Sequence, residues 1–267
     1  MITMRALIIN MDAATDRMAF MQAQMEALGL DWERVPAVTP GTLHPPEADP
    51  VWHRWQRPMR VTEMALCASH MAAWRRVLAL DAPCLVLEDD AWLARDLPDH
   101  LGRFAALTGI DHISLETRSR RKLVARRPHH AAAIRRLYLD RTGSAAMVVW
   151  PSGARKLLAA ATRGGAPSDA LISGCRGLVS YQADPALSIQ LDQAEAYGRQ
   201  APMAAPSLID RVAKPPPRAL ALGARVAYRA RRWGAQIAMA ARIVAHWRGA
   251  ERRGIAVTDN LVSPDLS

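Results

Sequence analysis

The chain has 267 residues, 50% of them hydrophobic, and a formal net charge of +10. That supports one sizeable core without a second full domain, and no apolar run reaches the roughly 20 residues of a membrane span. Between residues 211 and 253 eleven Arg or Lys face one acid, Glu251, so this stretch carries the whole excess, while the rest holds 24 basic and 24 acidic side chains. A neutral body with a basic tail argues against a nucleic-acid-binding fold, which carries its basic face on the body. Met1-Ile2-Thr3-Met4-Arg5 leads into a strand-like segment with no signal-peptide pattern. Cys67, Cys84 and Cys175 lack metal-ligand spacing, which predicts reduced, buried thiols in a cytoplasmic protein and no zinc site.

In chain order, Arg5-Ala6-Leu7-Ile8-Ile9-Asn10 reads as a first strand. Met18, Met21, Met25 and Leu28 recur at helical spacing, with Gly29 as the stop, and predict a helix with a methionine-rich core face. Residues 32–35 suggest a second strand. Residues 39–58 form a proline-punctuated loop whose Trp52 and Trp55 either close as a lid that stacks on a ligand or pack down on the body. A helix follows over 62–80, with Cys67, Met71, Trp74 and Leu78 as its buried stripe and with Glu63 and His70 on another face.

The most informative stretch is Cys84-Leu85-Val86-Leu87-Glu88-Asp89-Asp90, an apolar run that ends in three carboxylates. It reads as a buried strand, with Glu88 and Asp90 on one side and Asp89 on the other. Crowded carboxylates repel one another unless a cation neutralises them, and Mg²⁺ or Mn²⁺ sites combine one or two carboxylates with substrate phosphates. Ligands of open α/β sheets gather beyond the carboxyl ends of strands. The functional reading is a metal–diphosphate site; the plainer one is a cap for a helix starting at Ala91-Trp92-Leu93.

Further strands are expected at 111–115, ending at Glu116, and at 145–150, before a helix over 151–161. Weaker strands are expected at 179–182 and 187–190. Residues 118–130, rich in Arg and Lys, read as a solvated loop or hairpin, with a phosphate clamp as the alternative.

Several pieces in order resemble the family 25 glycosyltransferases, which include lipooligosaccharide and collagen galactosyltransferases. They are Ile9-Asn10-Met11-Asp12 with Asp16-Arg17; Glu63, Cys67, Ser69-His70 and Trp74; and Leu87-Glu88-Asp89-Asp90. Gly143, residues 152–158, Pro167-Ser168-Asp169 and the stretch from Pro185 to Gln190 complete the series, over roughly residues 5 to 192. Ala65-Leu66 stand where that family usually has a nearby glycine, and Met147 where it often has a tyrosine.

The resemblance implies an α/β, GT-A-type fold with a mostly parallel sheet flanked by helices. It also implies an inverting transfer of a hexose, typically galactose, from a UDP-sugar donor to a cell-surface glycan or lipid-linked acceptor. Glu88 and Asp90 are assigned to Mn²⁺ or Mg²⁺ and the diphosphate, with Asp89 as the alternate ligand. Asn10 and Arg17 fall near the nucleotide, and His70 either contacts phosphate or acceptor or is a buried histidine bonded to Glu63. For the base that deprotonates the acceptor hydroxyl, Asp169 leads and Glu116 is the runner-up, with helix capping as the structural reading of Asp169. A metal-dependent phosphohydrolase would need a second set of acids, and none stands out.

Residues 1–210 form the expected catalytic domain and 211–267 a basic amphipathic helical tail. Beyond Lys214-Pro215-Pro216-Pro217, a helix over 218–248 is predicted, with Leu222, Val226, Ala230, Trp233, Ile237, Ala240, Val244 and Trp247 as one apolar stripe. Tryptophans beside arginines suit an anionic membrane surface, which would make the protein peripheral on the inner face of the cytoplasmic membrane. Packing of the stripe against the body or a second copy is the alternative. A basic-tailed membrane- or nucleic-acid-binding adaptor without catalysis is the rival function, and it leaves the acidic strand without a role.

Overall fold

A computed structural model describes residues 4–141, 143–204 and 222–263. Its first half contains β1 (Ala6–Asn10), α1 (Thr15–Leu28), β2 (Trp32–Pro36), α2 (Val61–Leu80), β3 (Cys84–Glu88), β4 (Ala91–Leu93) and α3 (Leu97–Ala105). Next come β5 (His112–Ser114), β6 (Lys122–Ala125), β7 (Ile134–Leu139), β8 (Ala146–Val149), α4 (Pro151–Arg163) and α5 (Ser168–Gly174). The chain continues through β9 (Ser180–Ala183), β10 (Ser188–Gln190), α6 (Leu222–His246) and β11 (Ala250–Arg253).

Nine strands form one sheet in the order β11-β6-β7-β9-β5-β8-β3-β1-β2, and β4 pairs with β10 apart from it. Only β1·β2, β1·β3 and β5·β9 are parallel. The other five pairs are antiparallel, so the sheet is mixed and not mostly parallel as expected. The cause is local: β8 enters between β3 and β5 against the direction of both, β6 forms inside the segment 118–130 that was expected as a solvated loop or hairpin, and β7 follows beyond it.

Period-two alternation divides the strand side chains between two cores. Ile8, Leu85, Leu87, Ile113 and Val148 join Phe20 and Met25 of α1 and Phe104 of α3. Leu7, Ile9, Val86 and Val149 join Cys67 and Trp74 of α2 and Leu157 of α4. Both faces are covered, which is why these strands read as unbroken apolar runs, and each large side chain contributes about 1.5–3 kcal/mol on burial. Met147 belongs to the second core, so its difference from the family's tyrosine is a matter of packing. The three cysteines are free and buried.

The expected faces of α1 and α2 hold: Met21, Met25, Leu28, Cys67, Met71 and Trp74 are buried. In α2 Val77 is fully buried, while Leu78 is only partly covered. The loop tryptophan Trp52 packs down, with its indole N–H donating to the Pro45 carbonyl at 2.9 Å. Residues 91–93 form β4, so Glu88 ends β3, Asp89 and Asp90 turn the chain into β4, and the acidic triplet caps no helix.

Asp111 seats α4. Its carboxylate accepts from Ser152 Oγ (2.6 Å), Val179 N (2.7 Å) and Lys156 Nζ, and its carbonyl accepts from Trp150 N (3.0 Å). Burial pushes the Asp111 pKa up, but these donors and the Lys156 charge outweigh it and bring it below the ordinary value. Gly153 lies so close to this carbonyl that a Cβ would overlap the oxygen. Gly153→Ala should therefore destabilise the protein by about 3 kcal/mol, the upper end of overpacking costs, as read by a urea melt. An unchanged midpoint would mean that the α4–Asp111 approach is soft.

Lys122 was expected in a solvated segment but is buried in β6. Its ammonium donates to the Glu116 carbonyl (2.9 Å) and Gln182 Oε1 (2.5 Å) and pairs with Asp140 at 2.6 Å. On the other side of β6 lies β11, antiparallel, with Val124 opposite Glu251. Beyond β11, Ile255, Leu261 and Val262 are buried, and the Val262 carbonyl accepts the Trp92 indole N–H. This part of the expected tail thus contributes an edge strand and core residues. The expected boundary at 210/211 and the break at Lys214-Pro215-Pro216-Pro217 lie outside the described residues.

Candidate active site

β3 ends beside β1 on one side and β8 on the other, and the three carboxylates separate there. Glu88 takes a hydrogen bond from Ser144 Oγ at 2.7 Å and shares another with His70 Nε2 at 3.0 Å. Ser144 Oγ is also 2.9 Å from Ser168 Oγ, which links the β8 approach to the start of α5. Asp89 turns toward the first strand, accepting from Asn10 Nδ2 at 2.8 Å and Arg17 Nη1 at 3.0 Å. Asp90 receives only long bonds from Gln190 Nε2, at 3.3 and 3.4 Å, with Arg17 3.9 Å away.

Asn10 is committed. It also donates to the Ala14 carbonyl at 3.0 Å and accepts from Arg34 Nε at 3.0 Å, so its amide fixes Asp89 and the start of α1. His70 is fully buried and bonds Glu88, not Glu63 as weighed from the sequence. Glu63 is held instead by a two-pronged bond from Arg57, with both distances 2.8 Å. The reach of His70 toward any ligand runs through Glu88.

Glu116 is fully buried. One oxygen accepts from Ala145 N, the other has no partner, and the side chain fills the space a Cβ at Gly143 would need, with its carboxyl carbon 2.7 Å from that point. Gly143 adopts φ +106°, which alone favours glycine. Asp169 lies in the first turn of α5, accepts from the adjacent Ala170 N at 2.7 Å and is half-buried. It lines a cavity of about 290 Å³ together with Gly143, Arg136, Tyr138, Arg242 and His246. The α5 N-cap residue is Pro167, which makes no side-chain cap bond.

The electrostatics separate these acids. Burial pushes Glu88 up, but the His70 bond and field and the Ser144 hydroxyl outweigh it, and its pKa falls below the ordinary value. Burial and then the Glu88 charge lift Asp90 to about 7 and Glu116 to about 8. Burial also raises Asp169. At neutral pH Glu88 is ionised and Glu116 holds its proton, while Asp90 sits near its midpoint. The field of Arg118 acts on Glu88, Glu116 and Asp169, and this guanidinium is bonded to Asp192 at 3.0 Å.

Among the described residues no group of three or more His, Cys, Asp or Glu is arranged to hold a metal. Asp89 is tied to Asn10 and Arg17, so the triplet does not act as a unit. Asp90, a half-buried carboxylate with weak donors and an anion beside it, still suits a cation. Two carboxylates satisfy an ion that takes its remaining ligands from phosphate and water.

Sequence reasoning missed Ser144, Arg57 and the placement of Arg118. Ser144 lies 56 residues from Glu88 in the chain and carried no local signal, whereas Arg118 stood at the head of the basic segment weighed as a phosphate clamp.

A mixed α/β fold with a cluster of acidic side chains at the end of its central strands is what the geometry defines. Residues 4–172 match the family model described as Glycosyltransferase family 25 (LPS biosynthesis protein), and the chain belongs to that family. No curated protein matches the chain. Membership makes the protein a glycosyltransferase of LPS biosynthesis and implies a nucleotide-sugar donor and an acceptor. Among the described residues no helix is long and apolar enough to cross a membrane.

Proposed function

We propose that the chain is an inverting, metal-dependent hexosyltransferase. It moves galactose, or a related hexose, from a UDP-sugar to a cell-surface glycan such as lipooligosaccharide or its lipid-linked precursor on the cytoplasmic side of the membrane. The observation that supports this most is Asp90. It is a half-buried carboxylate at a strand end, lifted to about 7 by desolvation and then by the Glu88 charge, and among the described residues its ion pair is a long one, with Arg17 at 3.9 Å.

In this reading the acceptor oxygen bonds to the anomeric carbon as the bond from that carbon to the diphosphate breaks, and Asp169 receives the acceptor proton. Its pKa, raised by burial, makes it a better base than an exposed aspartate. Glu116 is protonated and closed off from solvent, and it supports the Gly143–Ala145 turn. Arg17, with Arg118 on the other side, opposes the charge that grows on the leaving diphosphate. Asn10 orients Asp89, which orients Arg17, while His70 and Ser144 keep Glu88 ionised. Asp90 and Glu88 would hold Mn²⁺ or Mg²⁺, which when bound neutralises the leaving group.

A thermal-shift titration of UDP with and without Mn²⁺ tests the reading. UDP plus Mn²⁺ should stabilise the native state by about 2.7 kcal/mol at a hundredfold excess over Kd, and UDP alone by much less. An equal shift without the ion removes the metal from the proposal. No shift with any nucleotide favours the non-catalytic adaptor.

A further inference from the structure

The stripe on α6 was weighed against burial on the body, and the body meets the opposite face of the helix. Arg231 donates to the His53 carbonyl at 2.7 Å, and Arg242 donates to the Ser173 carbonyl at 2.7 Å and to Tyr138 at 3.3 Å. The His246 ring stacks on Tyr138 with centroids 4.0 Å apart. These contacts latch the inward face of the helix along its length.

The outward face is apolar and bare. Val226, Trp233, Ile237, Val244 and Trp247 are 58%, 66%, 66%, 67% and 63% exposed, at positions that return to one side of a helix. Among the described residues the only other exposed large hydrophobic side chain is Trp32, at 37%, so apolar exposure is concentrated on this stripe. A contiguous patch of this kind marks an interaction surface.

Charge selects the occupant. Arg225, Arg229 and Arg232 are exposed, and each directly precedes a stripe position, so they form a second row along one edge of the apolar face. Residues 222–250 contain no Asp or Glu. A second copy laid along the stripe would set these arginines against their own equivalents with no carboxylate to offset them. An anionic bilayer supplies the opposite charge, and its interface takes up tryptophans beside arginines.

We propose that the outward face of α6 lies flat in the headgroup region of an anionic membrane and makes this protein peripheral. The family match ends at residue 172, so the surface belongs to a part of the chain outside that match. The C-terminal half of α6 also roofs the cavity that Asp169 lines. Docking would therefore bring this cavity near the bilayer and a lipid-linked acceptor; this purpose, though not the docking, rests on the transferase reading.

The test is co-sedimentation of the full chain with vesicles of phosphatidylglycerol and phosphatidylethanolamine, without nucleotide or sugar. Binding should be about tenfold tighter than to phosphatidylcholine vesicles and should weaken about tenfold when salt is raised from about 50 to about 500 mM. The double substitution Trp233→Ser with Trp247→Ser should weaken it by at least about tenfold. Both side chains face solvent, so the circular dichroism and melting of the variant should match the parent. Failure of the parent to bind anionic vesicles overturns the proposal, as does equal binding by the variant. A dimer seen by light scattering without lipid and lost in the variant would assign the stripe to a second copy instead. None of these readouts uses the transfer reaction, so a failure here is separate from a failure of the proposed activity.

Discussion

Asp90→Asn should abolish sugar transfer and at the same time stabilise the protein at neutral pH. The first effect follows from removing the carboxylate placed to hold the cation against the leaving diphosphate. The second follows from linkage. A carboxyl whose folded pKa is raised from 3.8 to about 7 binds its proton more tightly in the native state, so the native state loses stability as pH rises from about 4 to about 7. Replacing it with a neutral amide removes that loss, on the order of 1–3 kcal/mol after allowance for local relaxation. The checks are transfer of labelled sugar and a urea melt at pH 5 and at pH 7.5. The gain in stability should be small at pH 5 and larger at pH 7.5. Full turnover by the folded variant would remove the central role given to Asp90.

Asp169→Asn keeps size and hydrogen bonding but removes basicity. It should lower kcat by about 10²–10⁴-fold while UDP binding, read by thermal shift, stays within about twofold. Burial holds the Asp169 pKa above the ordinary value, and the ionised form is the base. In the parent, kcat should therefore fall as pH drops through that raised pKa, and the variant should lose this dependence. If UDP binding collapses together with turnover, Asp169 is a ligand-binding or structural residue.

Much of the fold was legible where strands are apolar runs and helices carry one clear stripe. β1, α1, α2, β3, β8 and α4 all fall into this class. β6, β7 and β11 were not, because their sequences are basic and their charges are satisfied only across the sheet. Lys122 meets Asp140, while Arg135 and Arg253 both meet Asp184, at 2.6 and 2.9 Å. A buried cation whose counter-ion lies far along the chain looks like a solvated one. α3 buries Leu97, Leu101 and Phe104 at helical spacing, a short pattern of only nine residues.

At the site, the acidic residues and Arg17 stood out in the sequence, but their partners did not. That His70 bonds Glu88 while Glu63 bonds Arg57 depends on how α2 crosses the sheet, which no local spacing encodes. On α6 the periodicity disclosed an apolar stripe. Which face the body would take was decided by Arg231, Arg242 and His246, residues that on composition alone belonged to water.

The pairing of β6 with β11 joins segments that lie well over a hundred residues apart in the chain. Closing so large a loop is entropically slow, so this edge is expected to be the last part of the sheet to zip up during folding. Until then β6 presents an open ladder of backbone donors and acceptors, a template on which a neighbouring unfinished chain can add a strand. Its guards in that interval are the basic side chains on and around it, Arg120, Arg121 and Lys122 among them, which make like chains repel. The same charges that hid these strands from a pattern-based reading thus keep the half-folded protein soluble, and aggregation during refolding should rise with ionic strength.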